Sequence, residues 1–185
     1  MRKFAVTSSA ARPVPAVRWA AALVGVVLGM TVASKIAIPL PGTPVPFTFQ
    51  VLGVLLSGAL LGPALAASGQ ALFLLVGLAG APVFALGGGP AYLVGPTGGY
   101  LLAYPLAAAI AGLGGAQGRR QLLAFLAALA TIYLGGWSWL ARAAPERAAA
   151  WAVWPFLGPD LVKVAVAWLV AHRAAGPARR WLQGD

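Results

Sequence analysis

The sequence predicts an all-α integral membrane bundle of six transmembrane helices, with the N- and C-termini in the cytoplasm. Three observations lead to this prediction. Of the 185 residues, 61% are hydrophobic and only 9% are charged, which is far from the composition of a soluble domain. The chain has room for about six spans of membrane-crossing length joined by short connections. Its basic residues cluster at the predicted helix ends, the usual pattern of membrane orientation signals.

The helix boundaries follow from proline and glycine. Four prolines end the first helix, and Gly62-Pro63 marks a tight reversal between the second and third. Pro159 suits the first position of the last helix, which an aromatic stretch precedes. A membrane domain at 16–175 is expected between an N-terminal arm (1–15) and a basic tail (176–185). The first apolar run is longer than a signal-peptide core, so we expect it to be retained. The predicted helices cover residues 16–36, 48–61, 63–78, 97–113, 121–140 and 159–173.

Basic residues are distributed unevenly between the two sides of the predicted bundle. With the N-terminus inside, nine of the thirteen lysines and arginines fall on the cytoplasmic side and four on the outer side. The positive-inside rule therefore favours cytoplasmic termini. Three unusual features then share the outer side: a proline-rich loop (residues 38–47), a glycine-rich loop (residues 81–96) and the start of the last helix.

Asp160 and Lys163 are an acid and a base one helical turn apart in a membrane-spanning segment, and positions i and i+3 share a helix face. Charged side chains are costly within a bilayer, so they usually face an internal cavity that serves a ligand or ion. The alternative is an ion pair that ties the last helix into the bundle, although such pairs are expensive to bury. We expect the two side chains to line a pocket open to the exterior.

The two outer loops are further candidates for ligand contacts. The proline-rich loop is either a rigid connector or a contributor of Thr43, Phe47 and Gln50 to a ligand site. The glycine-rich loop is either a simple turn or a lid, because glycine permits close approach of the backbone to a ligand. Phe84 and Tyr100 flank it with aromatic surface.

The first predicted helix carries a small residue at every fourth position. In lipid, such a stripe lets another helix approach closely. The stripe either docks a partner membrane protein or packs within the bundle. Its members are Ala21, Gly25, Gly29 and Ala33.

Several function classes are disfavoured. The chain has no cysteine for disulfides or thiolate metal sites, its sole histidine cannot bind a metal alone, and we predict no metal and no cofactor. There is no P-loop, and no basic face interleaved with aromatic residues that would bind nucleic acid. Ser68 and His172 offer the alternative of an intramembrane serine protease. Nothing else supports hydrolysis, so we expect no enzymatic activity.

The stretch from Lys35 to Gln50, KIAIPLPGTPVPFTFQ, resembles the signature loop of the BioY family. These proteins are the biotin-specific membrane components of energy-coupling factor (ECF) transporters. The resemblance covers nearly the whole chain from Ala16 to Ala171. Its further segments occur in the same order at Leu55–Pro63, Gly77–Ala85, Gly95–Tyr100 and Pro155–Lys163.

The resemblance implies a six-helix substrate-capture subunit in the cytoplasmic membrane of a bacterium or archaeon, which binds biotin near the outer face. It places polar ligand contacts at Asp160 and Lys163. It also implies that the small residues of the first helix dock on a transmembrane coupling protein that works with two ATPase subunits. Membrane lipid is expected around the subunit in either case, and a homo-oligomer is the alternative if the subunit acts without that module.

The chemistry of biotin fits these residues. Asp160 can accept hydrogen bonds from the ureido N–H groups, and Lys163 can donate to the ring carbonyl. Backbone N–H groups of an outer loop, or Thr43 and Gln50, can hold the carboxylate. The apolar part of biotin can pack against Phe47, Phe84 and Tyr100. Family members carry a polar amide near the glycine-rich loop, where this chain has alanine, leucine and glycines. The group that caps the ring carbonyl is therefore left open. Two alternative functions remain: the same architecture that binds another small vitamin, and a membrane scaffold that binds no ligand.

Overall fold

Helices dominate residues 16–115 and 118–183, which are the part of the chain that the computed structural model describes. The all-α prediction is confirmed, whereas the predicted N-terminal arm lies outside the described residues. Two strands of two residues each, β1 (Ala37–Ile38) and β2 (Phe47–Thr48), frame the proline-rich loop. The helices are α1 (Ala16–Lys35), α2 (Gln50–Leu61), α3 (Pro63–Leu78), α4 (Pro90–Val94), α5 (Gly98–Leu113), α6 (Gly118–Leu140), α7 (Ala148–Ala152) and α8 (Trp154–Gln183).

Within the described ranges, three segments are long and apolar enough to cross a membrane: α1, α6 and residues 148–183. Helices α2, α3 and α5 are apolar but shorter. The count of six spans therefore stays a prediction.

The predicted boundaries of the first five long helices lie within a few residues of the observed ones, but the last helix differs. It was expected over 159–173, whereas α8 begins at Trp154 and continues to Gln183. The placement of Pro159 at the first helical position was wrong, because it lies inside the helix. Proline is tolerated inside membrane helices where neighbouring groups satisfy the freed carbonyl. The residues expected to form a basic tail are consequently helical as far as Gln183.

Helix α5 lies at the centre of the bundle, where it packs against α6, α3 and α2, while α8 packs against α2 and α6. Paired glycines allow the closest of these approaches. A Cβ atom on Gly99 of α5 would overlap the carbonyl oxygen of Gly135 on α6. In lipid, helices associate through such small residues because lipid tails are as apolar as the side chains.

Helix α1 lies at the periphery and contacts α3 and α2. Only a narrow stripe of it is buried, with one residue at every fourth position: Ala22, Val26, Met30 and Ser34. The rest of the helix is largely apolar and exposed, as in a helix that faces lipid on most sides.

Two arginines hold together the end of the bundle at which α2, α5 and α8 finish. The guanidinium of Arg179 donates to the carbonyl oxygen of Ala59 at 3.0 Å and to that of Gly112 at 3.3 Å, at the C-terminal ends of α2 and α5. A cation at a helix C-terminus satisfies unpaired carbonyls and interacts favourably with the helix dipole. Arg18 of α1 donates to the carbonyl oxygen of Trp181 at 2.6 Å. The end of α8 is thus tied to three other helices.

We expect Arg179→Met to lower the free energy of unfolding by about 1–2 kcal/mol, because two helix ends lose a charged donor. Thermal unfolding of the purified protein in detergent measures this change. Arg180→Met is the matched control, since Arg180 is the adjacent residue and is exposed. Equal melting temperatures for the two variants would contradict the capping role.

Candidate functional site

Asp160 and Lys163 form a buried ion pair on α8. Their side chains are 3% and 6% exposed, and Lys163 Nζ lies 2.6 Å from Asp160 Oδ1. The spacing of one turn brings them together, as expected for positions i and i+3. Both therefore face the interior of the bundle rather than lipid.

Lys163 also holds the proline-rich loop. Its Nζ donates to the carbonyl oxygen of Thr48 at 2.6 Å and lies 3.8 Å from the centre of the Phe47 ring. An ammonium group has three N–H donors, of which Asp160 and Thr48 use two, while the Phe47 ring lies against the same group. Lys163 thus joins α8 to β2.

The second carboxylate oxygen of Asp160 is bound by a residue that the sequence reasoning missed. Tyr133 of α6 is buried, and its hydroxyl donates to Asp160 Oδ2 at 2.9 Å. The sequence did contain a signal for it. Tyr133 is a tyrosine in a largely apolar helix, and a buried tyrosine hydroxyl usually has a hydrogen-bond partner. Groups from α6 and β2 therefore converge on the carboxylate and the ammonium of α8.

A cavity of about 40 Å³ lies beside this cluster. It has space for a few water molecules, so a larger ligand requires movement of the surrounding loops. Its walls combine hydroxyl, amide and charged groups with aromatic surface. The lining residues are Val45, Pro46, Thr48, Gln50, Val51, Ala85, Tyr92, Thr97, Tyr100, Leu101, Tyr104, Phe156, Asp160 and Lys163.

Four of the seven predicted ligand contacts line this cavity: Asp160, Lys163, Gln50 and Tyr100. The hydroxyl of Tyr100 donates to the carbonyl oxygen of Ala152 at 2.7 Å, so its ring is the surface left for a ligand.

The other three predicted contacts, Thr43, Phe47 and Phe84, lie outside the cavity lining. The hydroxyl of Thr43 donates to the carbonyl oxygen of Trp151 at 2.8 Å and so links the proline-rich loop to α7. Phe47 lies under the Lys163 ammonium. These two side chains shape the loop above the cavity.

Phe84 anchors the glycine-rich loop in the core. It is fully buried, stacks on Tyr92 with ring centroids 5.0 Å apart, and fills the space that a side chain at Gly77 would need. Its neighbour Ala85 lines the cavity instead.

Helix α1 also holds the glycine-rich loop. Ser34 Oγ donates to the carbonyl oxygen of Val83 at 2.6 Å, and Lys35 Nζ to that of Phe84 at 2.8 Å. Both loops above the cavity are therefore attached to the C-terminal end of α1, because β1 follows that helix and pairs with β2.

A separate apolar groove of about 620 Å³ runs between α1, α2 and the end of α8. All four small residues of the α1 stripe line it. A Cβ atom added at Gly25 or Gly29 would meet nothing within 4 Å. The stripe therefore faces open space rather than packing within the bundle.

The described residues do not assemble the protease dyad that Ser68 and His172 offered. Ser68 lies exposed on α3, and the ring of His172 stacks on Trp168 of α8 with centroids 6.0 Å apart. No hydrogen bond joins the two side chains in the described ranges.

The fold and the site together define a helical membrane protein with a buried ion pair and a small cavity beneath its proline-rich and glycine-rich loops. A family model described as the BioY family matches residues 5–180. The chain belongs to the BioY family, and it is a multi-pass protein of the cytoplasmic membrane.

Known proteins agree with this assignment. The chain is 46% identical over 135 residues to the probable biotin transporter BioY of Pyrococcus horikoshii, covering 72% of this chain and 82% of that one. It is 40% identical over 151 residues to the biotin transporter BioY of Thermotoga maritima, covering 78% and 88%. A crystal structure of the S-component for biotin from an ECF-type ABC transporter superposes with a TM-score of 0.77 at 22% identity, covering 85% of this chain and 90% of that one. The structural match supports the fold.

Tyr133→Phe should lower the free energy of unfolding by about 1 kcal/mol, because Asp160 loses one of its two hydrogen-bond donors. Thermal or denaturant unfolding in detergent measures it. Tyr104→Phe is a suitable control: Tyr104 is also buried, and its hydroxyl makes no hydrogen bond in the described ranges. If Tyr104→Phe costs as much as Tyr133→Phe, the Tyr133 hydrogen bond contributes nothing measurable.

Proposed function

We propose that this protein captures biotin at the outer face of the cytoplasmic membrane and is the substrate-binding subunit of an ECF-type transporter. The observation that carries the proposal is the buried Asp160–Lys163 pair beside a cavity. A bilayer penalises such a pair, and functional ligand sites are where it is usually retained. Family membership supports biotin as the substrate.

Asp160 supplies the acceptors for the ureido N–H groups. Each carboxylate oxygen offers about two lone-pair directions, and Lys163 and Tyr133 take one on each. One direction on each oxygen is thus left for ligand. The rings of Tyr100 and Phe156 provide apolar surface for the sulfur-containing ring of biotin.

Access to the pocket requires the proline-rich loop to move. The cavity of about 40 Å³ is too small for a bicyclic vitamin, and the loop is held down through Thr48 and Phe47 by Lys163. Release of this contact would lift β2 away from α8. Lys163 therefore controls loop closure in addition to balancing the charge of Asp160.

The groove beside α1 is the proposed docking surface for a transmembrane coupling protein. Its walls are almost entirely apolar, and Gly25 and Gly29 leave space for a partner helix to approach closely. Two ATPase subunits attached to that coupling protein would supply the energy for transport. The other arrangement, in which a second copy of the chain occupies the groove, predicts a homo-oligomer without the ATPase module.

Titration of the purified protein with biotin in detergent, followed by calorimetry, tests the substrate. We expect saturable binding at one site per chain, and no displacement of radiolabelled biotin by other vitamins such as thiamine or riboflavin. If the protein does not bind biotin but binds another vitamin saturably, the proposed substrate is wrong and the proposed capture function is retained. If no vitamin binds saturably, the result would favour a membrane scaffold without a ligand.

A further inference from the structure

A buried amide at the cavity has an unused donor. Gln50 is the first residue of α2 and follows β2 after one residue. It is 6% exposed and lines the cavity. Its Nε2 atom is buried without a hydrogen-bond partner among the described residues. Buried polar groups are almost always paired in folded proteins, and an exception at a ligand site points to the ligand as the missing partner.

The orientation of this amide follows from its neighbour Thr48. The Thr48 hydroxyl oxygen accepts the backbone N–H of Gln50 at 3.3 Å, and the hydroxyl donates to Gln50 Oε1 at 3.3 Å. The amide oxygen therefore already has one partner, whereas Nε2 has none. The unsatisfied group of Gln50 is a donor.

Lys163 is poorly placed to serve as the donor that a ligand carbonyl needs. Two of its three N–H groups are used by Asp160 Oδ1 and the Thr48 carbonyl, and the Phe47 ring covers the ammonium at 3.8 Å. A ligand that took a hydrogen bond from Lys163 would therefore compete with one of these contacts. A ligand that took one from Gln50 would break none.

We infer that Gln50 Nε2 donates to the ring carbonyl of the ligand while Asp160 accepts from the adjacent ring N–H. This inference rests on the proposed biotin capture and identifies the group that hydrogen-bonds to the ureido carbonyl. Thr48 brings the two residues to one place, because its side chain binds Gln50 and its carbonyl binds the lysine paired with Asp160. A urea carries C=O and N–H on adjacent atoms, so its donor and acceptor partners must lie side by side.

The test compares the wild-type protein with Gln50→Met, a variant of similar length that has no donor. Three ligands are titrated: biotin, 2′-thiobiotin, whose C=S is a weak acceptor, and biotin methyl ester, which lacks the carboxylate charge. We expect Gln50→Met to weaken biotin and the methyl ester each by about tenfold, and 2′-thiobiotin by less than about twofold. The preference for biotin over its thio analogue should thus largely disappear in the variant.

Gln70→Met is the matched control, because Gln70 is a fully buried glutamine on α3 that does not line the cavity. It should leave the preference for biotin over 2′-thiobiotin unchanged. If Gln50→Met does not fold, Gln50→Glu replaces the donor by an acceptor and should lose biotin binding more strongly than it loses 2′-thiobiotin binding.

Three results would overturn the inference. Unchanged affinity for biotin would show that Gln50 makes no contact, and equal losses for all three ligands would show a purely structural role. Loss confined to biotin and 2′-thiobiotin, with the methyl ester unaffected, would place the carboxylate at Gln50. Failure of the wild-type protein to bind biotin would instead remove the proposed function itself.

Discussion

Replacing Asp160 with asparagine should weaken biotin binding by at least about 100-fold, roughly 3 kcal/mol. Asparagine keeps the size of the side chain but removes the negative charge that accepts from the ligand N–H groups. It also leaves the buried Lys163 ammonium without its counter-charge. Calorimetric titration in detergent measures the loss.

A variant with both charges removed separates ligand binding from stability. Breaking a buried pair by removing one partner costs about 3–5 kcal/mol, whereas replacing both by apolar or neutral residues is often close to neutral. We therefore expect Asp160→Asn to lower the melting temperature and Asp160→Asn/Lys163→Met to recover most of it. Biotin affinity should stay low in both. Wild-type affinity in the double variant would mean that the pair only ties α8 into the bundle.

Gly29→Leu should prevent assembly with an ECF module while leaving biotin affinity within about twofold of wild type. A Cβ atom added at Gly29 meets nothing within 4 Å and points into the groove, so a leucine side chain there takes up docking space. Co-purification with a coexpressed coupling protein and its two ATPases measures assembly, and uptake of labelled biotin by the same cells measures transport. Both should fall by at least about tenfold, because helix association in lipid depends on close backbone approach.

Ala20→Leu is the control for this substitution, since Ala20 is exposed on the same helix but does not line the groove. It should assemble and transport as the wild-type protein does. Equal behaviour of the two leucine variants would exclude the groove as the docking surface. Loss of biotin binding in Gly29→Leu would instead connect the groove to the pocket through the outer end of α1.

The helical architecture could be predicted well because it depends on local features. Long apolar runs, prolines and glycine turns mark where a chain can remain helical in a bilayer, and most ends are correct to within three residues. The last helix is the exception, since it was expected over 159–173 and runs from Trp154 to Gln183. Proline is common at the first position of a helix, so Pro159 was predicted to begin the last helix, whereas α8 continues on both sides of it.

The candidate site was only partly predictable. The scarcity of acidic residues singles out Asp160, and helical spacing pairs it with Lys163, so both were found without coordinates. Tyr133 was missed because it lies 27 residues earlier on another helix. Phe84 and Thr43 carried no signal that would separate a ligand wall from a core or loop contact. Their roles are seen only in their contacts: Phe84 packs on Gly77, and Thr43 donates to the Trp151 carbonyl.

Composition and spacing were sufficient for the membrane class, the course of the helices and the charged pair, because a bilayer imposes strict rules on where polar groups and helix breaks occur. The tertiary structure decided which side chains surround that pair, which donors are already used and which surface of α1 is uncovered. These are properties of contacts between residues far apart in the chain. They follow from packing in three dimensions, which no local pattern records.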